Sequence, residues 1–122
     1  MAAPRDPAKL TLVRLAISMA KTRGCCEWND REISRVRAQP PAAGLSPEAI
    51  KRLLHEHVLA GGDVVQVKEE REGWRGECDY WYKAIIPIEG LSHGLFIEVI
   101  MVDPDPECPS VEIVNAHPQA WS

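Results

Sequence analysis

The feature of this sequence that most constrains its fold is a change of hydrophobic period at Gly61-Gly62. Before this glycine pair, apolar residues recur every three or four positions, which is typical of amphipathic helices. After it, apolar and polar residues alternate, which is typical of β-strands with one buried face. The change predicts an α+β fold, with helices in the first half of the chain and a sheet in the second.

The first predicted helix begins at Asp6-Pro7. The aspartate supplies an acceptor at the cap, and the proline occupies a position that needs no N–H. An apolar stripe follows at helical spacing, formed by Leu10, Val13, Ile17 and Ala20. Lys21 and Arg23, followed by Gly24, are typical of a helix end.

A second helix is predicted over residues 46–60, because Ser46 and Pro47 repeat the start signal and an apolar stripe follows them. Between the two helices, Asp30 is expected to cap a short helix. Residues 38–45 are rich in proline and are expected to form a linker laid over the surface.

The second half of the chain is predicted to form a four-stranded antiparallel meander. The strands are expected over residues 63–68, 79–88, 94–102 and 110–115. Short connections that contain glycine or proline place consecutive strands side by side and antiparallel. We expect the helices to pack on one face of this sheet, so that residues 1–122 form a single domain. Its helical part spans residues 6–60 and its sheet part spans residues 63–117.

Composition narrows the class of protein. A hydrophobic fraction of 45% and a charged fraction of 26% are ordinary for a globular domain. No apolar run approaches the ~18 residues that a membrane helix requires. The four cysteines include no C-x-x-C pair. We therefore expect free thiols, a cytoplasmic location, no bound metal and no cofactor, with a Cys78–Cys108 bridge on oxidation as the alternative.

Charge is unevenly spread along the chain. Residues 1–60 hold ten Lys or Arg and six Asp or Glu, a balance of +4. Residues 61–122 hold four and twelve, a balance of −8. An acidic sheet half disfavours binding to the phosphates of RNA and favours a basic protein partner.

Strand alternation predicts that the candidate functional side chains share one face of the sheet. This face is expected to gather Trp81, Lys83, Phe96, Glu98 and Glu112. The set forms either an active surface or a ladder of cross-strand charge pairs, each pair contributing roughly 0.2–1 kcal/mol, and the ladder is the commoner arrangement. Trp74, if exposed in the loop before the second strand, would mark a partner surface.

The histidines and an acidic loop are weaker candidates for a site. His55 and His57 lie two positions apart and point to different sides of the predicted helix, unlike the i, i+4 pair of a zinc helix. His57 falls in the apolar stripe and is expected to be hydrogen-bonded at the edge of the core. His93 and His117 are candidates for a general base; a zinc site that combines them with cysteines is an alternative that no spacing supports. Residues 103–107 are expected to form a rigid acidic hairpin connection rather than a cation site.

The order of helices and strands over residues 46–117 resembles a known family. Residues 79–87 look like the strand that follows the helices in the small bacterial ribonuclease toxins of the RelE and MqsR type, and the two later strands look like those that carry catalytic residues. These toxins belong to the wider barnase–EndoU–colicin–RelE group. The resemblance implies a protein that cleaves RNA without a metal. The catalytic residues that it implies are Lys83, Glu98, His117, Arg75 and Tyr82.

Two functions follow as expectations. The first is metal-independent RNA cleavage by the residues that the resemblance implies. The second is a non-catalytic interaction module, similar to an immunity protein or an antitoxin, which docks a basic partner through Trp81, Phe96, Glu98, Glu112 and Trp74. Toxins of the RelE type are usually strongly basic, whereas the sheet half here carries −8. Charge therefore favours the second function.

Overall fold

The structure is a computed structural model, and it describes residues 6–19, 25–40, 45–70 and 79–118. Within these residues the chain forms three helices and a five-stranded sheet, which confirms the α+β class. The helices are α1 (Pro7–Ser18), α2 (Asp30–Ala38) and α3 (Pro47–Leu59). None of the helices in this described part is both long and apolar enough to cross a lipid bilayer.

The start of α1 is as predicted, but its end is not. The side chain of Asp6 accepts a hydrogen bond from the Lys9 N–H at 3.1 Å. The helix stops at Ser18, and the Met19 N–H closes its last turn. The predicted stop at residues 21–24 lies outside the described residues. The last buried residue of the helix is Ile17, one position before the helix ends.

Polar side chains also cap α2 and α3, and the cap of α2 lies one residue before the predicted one. The side chain of Ser46 accepts from the Ala49 N–H at 3.1 Å, so the predicted start of α3 is confirmed. In α2 the cap is Asn29 rather than the predicted Asp30. Asn29 has the extended backbone of a cap residue, and Asp30 then places its carboxylate in the first turn, where the helix dipole favours it.

The sheet contains one strand more than the sequence predicts. Its strands are β1 (Cys26–Trp28), β2 (Val65–Lys68), β3 (Tyr80–Ile88), β4 (Leu91–Asp103) and β5 (Ser110–Pro118), in the spatial order β1-β5-β4-β3-β2. Strands β2 to β5 form the expected antiparallel meander. Strand β1 pairs in parallel with β5, so the sheet is mixed and the prediction of four antiparallel strands is wrong. Three residues are too short a segment to show a period of two.

Two of the strands are longer than predicted. Strand β4 begins at Leu91, although the sequence predicted that it starts at Gly94. Gly94 instead lies within the strand with φ +82°, and a Cβ there would lie 2.8 Å from the backbone oxygen of Ile86. The close approach of the two backbones requires glycine at this position. Strand β5 likewise runs on to Pro118.

The core lies between the helices and one face of the sheet. The helices contribute buried residues such as Ile17, Val36 and Leu54. The sheet contributes alternate residues of its strands, namely Cys26, Trp28, Tyr82, Ala84, Ile86, Leu95, Ile97, Val99, Val111, Ile113 and Ala116. The indole N–H of Trp28 donates to the Pro47 carbonyl at 2.8 Å, which ties β1 to the start of α3.

A β-bulge at Val114 reverses the alternation within β5. Glu98 pairs with Asn115, whereas the next residue of β4, Val99, pairs with Ile113. Val114 therefore has no partner on β4. Because the extra residue changes the side-chain parity, Asn115 and His117 turn away from the helices.

Candidate functional site

The candidate site is the sheet face that points away from the shared core, which we call the outer face. On its strands it comprises Val65, Val67, Trp81, Lys83, Ile85, Phe96, Glu98, Ile100, Glu112, Asn115 and His117. None of these residues belongs to the core cluster that the helices share. The five residues predicted from alternation to share one face are all among them.

A polar row crosses the outer face through its centre. Lys83, Glu98 and Asn115 are successive partners on β3, β4 and β5. The guanidinium of Arg35, on α2, donates to the side-chain oxygen of Asn115 at 2.8 Å. Arg35 also pairs with Glu32 at 2.7 Å. Basic, acidic and amide groups therefore follow one another from β3 to α2.

Three aromatic residues lie on the outer face, with Trp81 on one side of this row and Phe96 and His117 on the other. The ring centroids of Trp81 and Phe96 are 6.4 Å apart with planes inclined by 58°. The centroids of Phe96 and His117 are 4.6 Å apart with planes inclined by only 17°. The three rings are each partly exposed, so they form a continuous aromatic strip across β3, β4 and β5.

The imidazole of His117 is held by a local hydrogen bond. Its Nδ1 lies 2.8 Å from the Pro118 carbonyl oxygen. Because a carbonyl only accepts, this bond places the proton on Nδ1, and Nε2 of the neutral ring is then an acceptor. The stack on Phe96 and this bond together fix the orientation of the ring.

The two carboxylates of the outer face differ in exposure. Glu98, in the middle of the central strand β4, is only 4% exposed. Glu112 is half-buried, and its carboxylate accepts from the side-chain amide of Asn29 at 3.2 Å. Of these two, Glu112 is the group that an approaching molecule reaches.

The structure separates the residues that the ribonuclease resemblance implies. Lys83, Glu98 and His117 lie on the outer face. Tyr82 lies on the opposite face, fully buried, and its hydroxyl accepts from the Gln66 amide at 3.1 Å. Arg75, like the predicted partner-binding residue Trp74, lies outside the described residues.

Three residues of the site could not be found from the sequence. Arg35 and Asn29 reach the outer face because the parallel pairing of β1 with β5 places the start of α2 beside that strand. Asn115 joins them because of the bulge. No local pattern signals any of these contacts, since each depends on residues about 80 positions away.

The two histidines of α3 make hydrogen bonds to backbone carbonyls that support the fold. His55 is the buried histidine of α3, 6% exposed, and its Nδ1 lies 2.9 Å from the Ile17 carbonyl on α1. His57 is half-buried and bonds the Asp63 carbonyl at 2.9 Å. The sequence predicted that His57 would be hydrogen-bonded at the edge of the core. It did not predict that His55 is the more deeply buried of the two.

The described cysteines are in the thiol form, with no disulfide between them, and differ widely in exposure. Cys25 and Cys26 are buried, and Cys108 is exposed. Burial raises the pKa of the Cys26 thiol from 9.0 to about 12, so it stays protonated and unreactive near neutrality. Among residues 6–19, 25–40, 45–70 and 79–118, no group of three or more His, Cys, Asp or Glu side chains is placed to hold a metal ion.

Searches against protein-family models, curated proteins and solved structures find no match to this chain. The chemistry of the outer face is therefore the basis for a functional assignment.

Proposed function

We propose that this protein is a non-catalytic interaction module that docks a basic protein partner on its outer face. The observation that carries the proposal is the strip of three partly exposed rings, Trp81, Phe96 and His117, at the middle of a face that also holds carboxylates. Aromatic side chains are the commonest anchors of protein interfaces, because they bury a large area and lose little conformational entropy.

The surroundings of the strip match the anatomy of a docking surface. Ile85 is 38% exposed and Val65 is 46% exposed, so apolar area extends from the strip toward β2. Polar groups cross this area, in the row from Lys83 to Arg35. Exposed apolar area mixed with hydrogen-bonding groups is typical of surfaces that associate reversibly.

The charge of the sheet half supports a basic partner. The half of the chain that supplies β2 to β5 carries −8, from four basic and twelve acidic residues. A field of this sign attracts basic molecules and speeds their encounter with the face. An immunity-like or antitoxin-like role, in which an acidic module neutralises a basic protein, is the form of this function that we propose.

The first test uses aromatic truncations with a matched control. Trp81→Ala and Phe96→Ala remove anchors from the outer face, whereas Leu59→Ala removes an apolar side chain that is 62% exposed on α3. We expect a basic protein that is captured by the wild type to be retained by the Leu59 variant and to lose about ten-fold or more of its affinity for the other two. The captured protein is identified by mass spectrometry and its dissociation constant is measured by calorimetry. A partner that is acidic, or is retained equally by all variants, contradicts the proposal.

The second test reverses a charge. Glu112→Lys changes the outer face, and Glu89→Lys makes the same change of net charge on the exposed β3–β4 turn. We expect the Glu112 variant to bind the partner more slowly and with less dependence on salt, because rim charges act mainly on the association rate. The Glu89 variant should show a smaller effect in stopped-flow measurements. Glu98 is unsuitable for this test, since reversal of a group only 4% exposed would disturb folding.

A second candidate function is metal-independent RNA cleavage, of the kind that the resemblance to RelE-type toxins implies. It is favoured by the bulge, which brings His117 to the same face as Lys83 and Glu98. In that reaction Glu98 or His117 would act as the base, His117 or Lys83 as the acid, and Lys83 would stabilise the charge on phosphorus. His117 lies two strand spacings across the sheet and two residues along it from Lys83, roughly 12 Å away, so the substrate would have to span both.

A further inference from the structure

Two cysteines that are distant in sequence meet at one corner of the fold. The Sγ atoms of Cys25 and Cys108 lie 3.6 Å apart, although the residues are 83 positions apart. Cys25 immediately precedes β1 and is buried, with 1% of its surface exposed. Cys108 lies on the turn that joins β4 to β5 and is exposed.

We propose that Cys25 and Cys108 form a thiol pair that small disulfide compounds oxidise to an intramolecular disulfide. The backbone holds the pair in place, because the Val111 N–H donates to the Cys25 carbonyl at 2.8 Å. Closing the bond from the observed separation requires a movement of about 1.5 Å. Because Cys108 lies on an exposed turn and Cys25 is buried, we expect Cys108 to make most of that movement.

The difference in exposure sets the order of the chemical steps. The Cys108 thiol loses its proton to solvent, and the thiolate attacks one sulfur of the small disulfide. This step forms a mixed disulfide and releases one small thiolate. The Cys25 sulfur then attacks the Cys108 sulfur, and the second small thiolate leaves and takes up the Cys25 proton. Two protein thiols are oxidised, and one small disulfide is reduced to two thiols.

Neither of the other two cysteines is needed. Cys26 lies in the core, and none of its surface is exposed. Its raised pKa of about 12 keeps it in the thiol form, which is not a nucleophile. Cys78, whose pairing with Cys108 the sequence left open, lies outside the described residues, whereas Cys25 is already in contact with Cys108.

The disulfide would stabilise one edge of the sheet. Strand β1 has only three residues and pairs with β5 alone in the described part of the chain. A bond between the start of β1 and the β4–β5 turn closes a loop of 83 positions. We expect oxidation to raise the midpoint of thermal unfolding by about 10 °C, since a disulfide across a long loop restricts the unfolded chain.

The test uses cystamine, a cationic disulfide that the acidic turn around Cys108 attracts. After incubation, non-reducing peptide mapping of the wild type should show Cys25 linked to Cys108 with the loss of two hydrogens, and the unfolding midpoint should rise as stated. Cys108→Ser, at an exposed position, should abolish both changes. Cys78→Ser should abolish neither. Linkage to Cys78, a disulfide-linked dimer, or a lasting cystamine adduct on Cys108 beside a free Cys25 would each overturn the proposal.

Discussion

The imidazole of His117 stacks on the ring of Phe96, with centroids 4.6 Å apart and planes inclined by 17°. The two residues are direct partners across β4 and β5. They meet only because the bulge at Val114 turns His117 outward, since simple alternation from Ile113 would direct it toward the helices. One unpaired residue therefore completes the aromatic strip of the outer face.

The role of His117 separates the two candidate functions. We expect the purified protein, with chelator present, to leave a labelled RNA intact, and we expect His117→Ala and Lys83→Ala to behave like the wild type. The reason is that an acidic sheet half does not attract phosphate. Gel analysis of the RNA gives the measurement, and His57→Ala, on α3, is the matched histidine control. RNA cleavage that falls about 100-fold in the His117 variant but not in the control would establish the ribonuclease function instead.

The contribution of the core can be measured with two leucines of one helix. Leu54 is 1% exposed and Leu59 is 62% exposed, and both lie on α3. We expect Leu54→Ala to lower the free energy of unfolding by about 3 kcal/mol, because it removes buried methyl groups and leaves a cavity. The same change at Leu59 should alter it by less than about 0.5 kcal/mol. Urea titrations compare the two, and equal effects would show that α3 packs by a different face.

The buried thiol of Cys26 predicts how stability changes at high pH. Burial raises its pKa from 9.0 to about 12 in the folded protein. Above about pH 9 the unfolded chain releases this proton while the folded chain keeps it, so the contribution is complete below pH 9 and is lost as pH rises toward 12.

Between about pH 9 and pH 10.5, we expect the free energy of unfolding of the wild type to fall more steeply than that of Cys26→Ala, by up to about 1.4 kcal/mol per pH unit. Urea titrations at several pH values measure both slopes. Groups other than Cys26 titrate in both proteins and cancel in the comparison. Parallel slopes would mean that the thiol ionises as readily in the folded chain as in the unfolded chain.

The amide of Gln66 joins the sheet to the start of α1. It accepts from the Asp6 N–H at 2.9 Å, and it donates to the Asp6 carbonyl at 2.9 Å and to the Tyr82 hydroxyl at 3.1 Å. We expect Gln66→Leu to lower the free energy of unfolding by about 2 kcal/mol, because these partly buried groups lose their partners. Gln39→Leu, at an exposed position, is the control and should change it by less than about 0.5 kcal/mol. Similar values for the two variants would count against this bridge.

The sequence by itself determined the elements whose signals are local. The cap at Ser46 and the apolar stripe after it are sufficient for α3, because capping and periodicity act within one or two turns. The period of two in β3 and β4 was likewise sufficient to place Trp81, Lys83, Phe96 and Glu98 on one face. Within a regular strand, side-chain direction depends only on the parity of the position.

Only the tertiary structure decided the features that depend on distant partners. The parallel pairing of β1 with β5, the bulge at Val114 and the contact between Cys25 and Cys108 each join segments about 80 or more residues apart, or depend on the register between strands. A segment of three residues, such as 26–28, is too short to show the alternation that predicts a strand. A bulge depends on the pairing with the neighbouring strand, so it cannot be recognised from the sequence of one strand. Arg35 and Asn115 therefore join the outer face through long-range pairing, whose free energy comes from the assembled sheet and core rather than from the local chain.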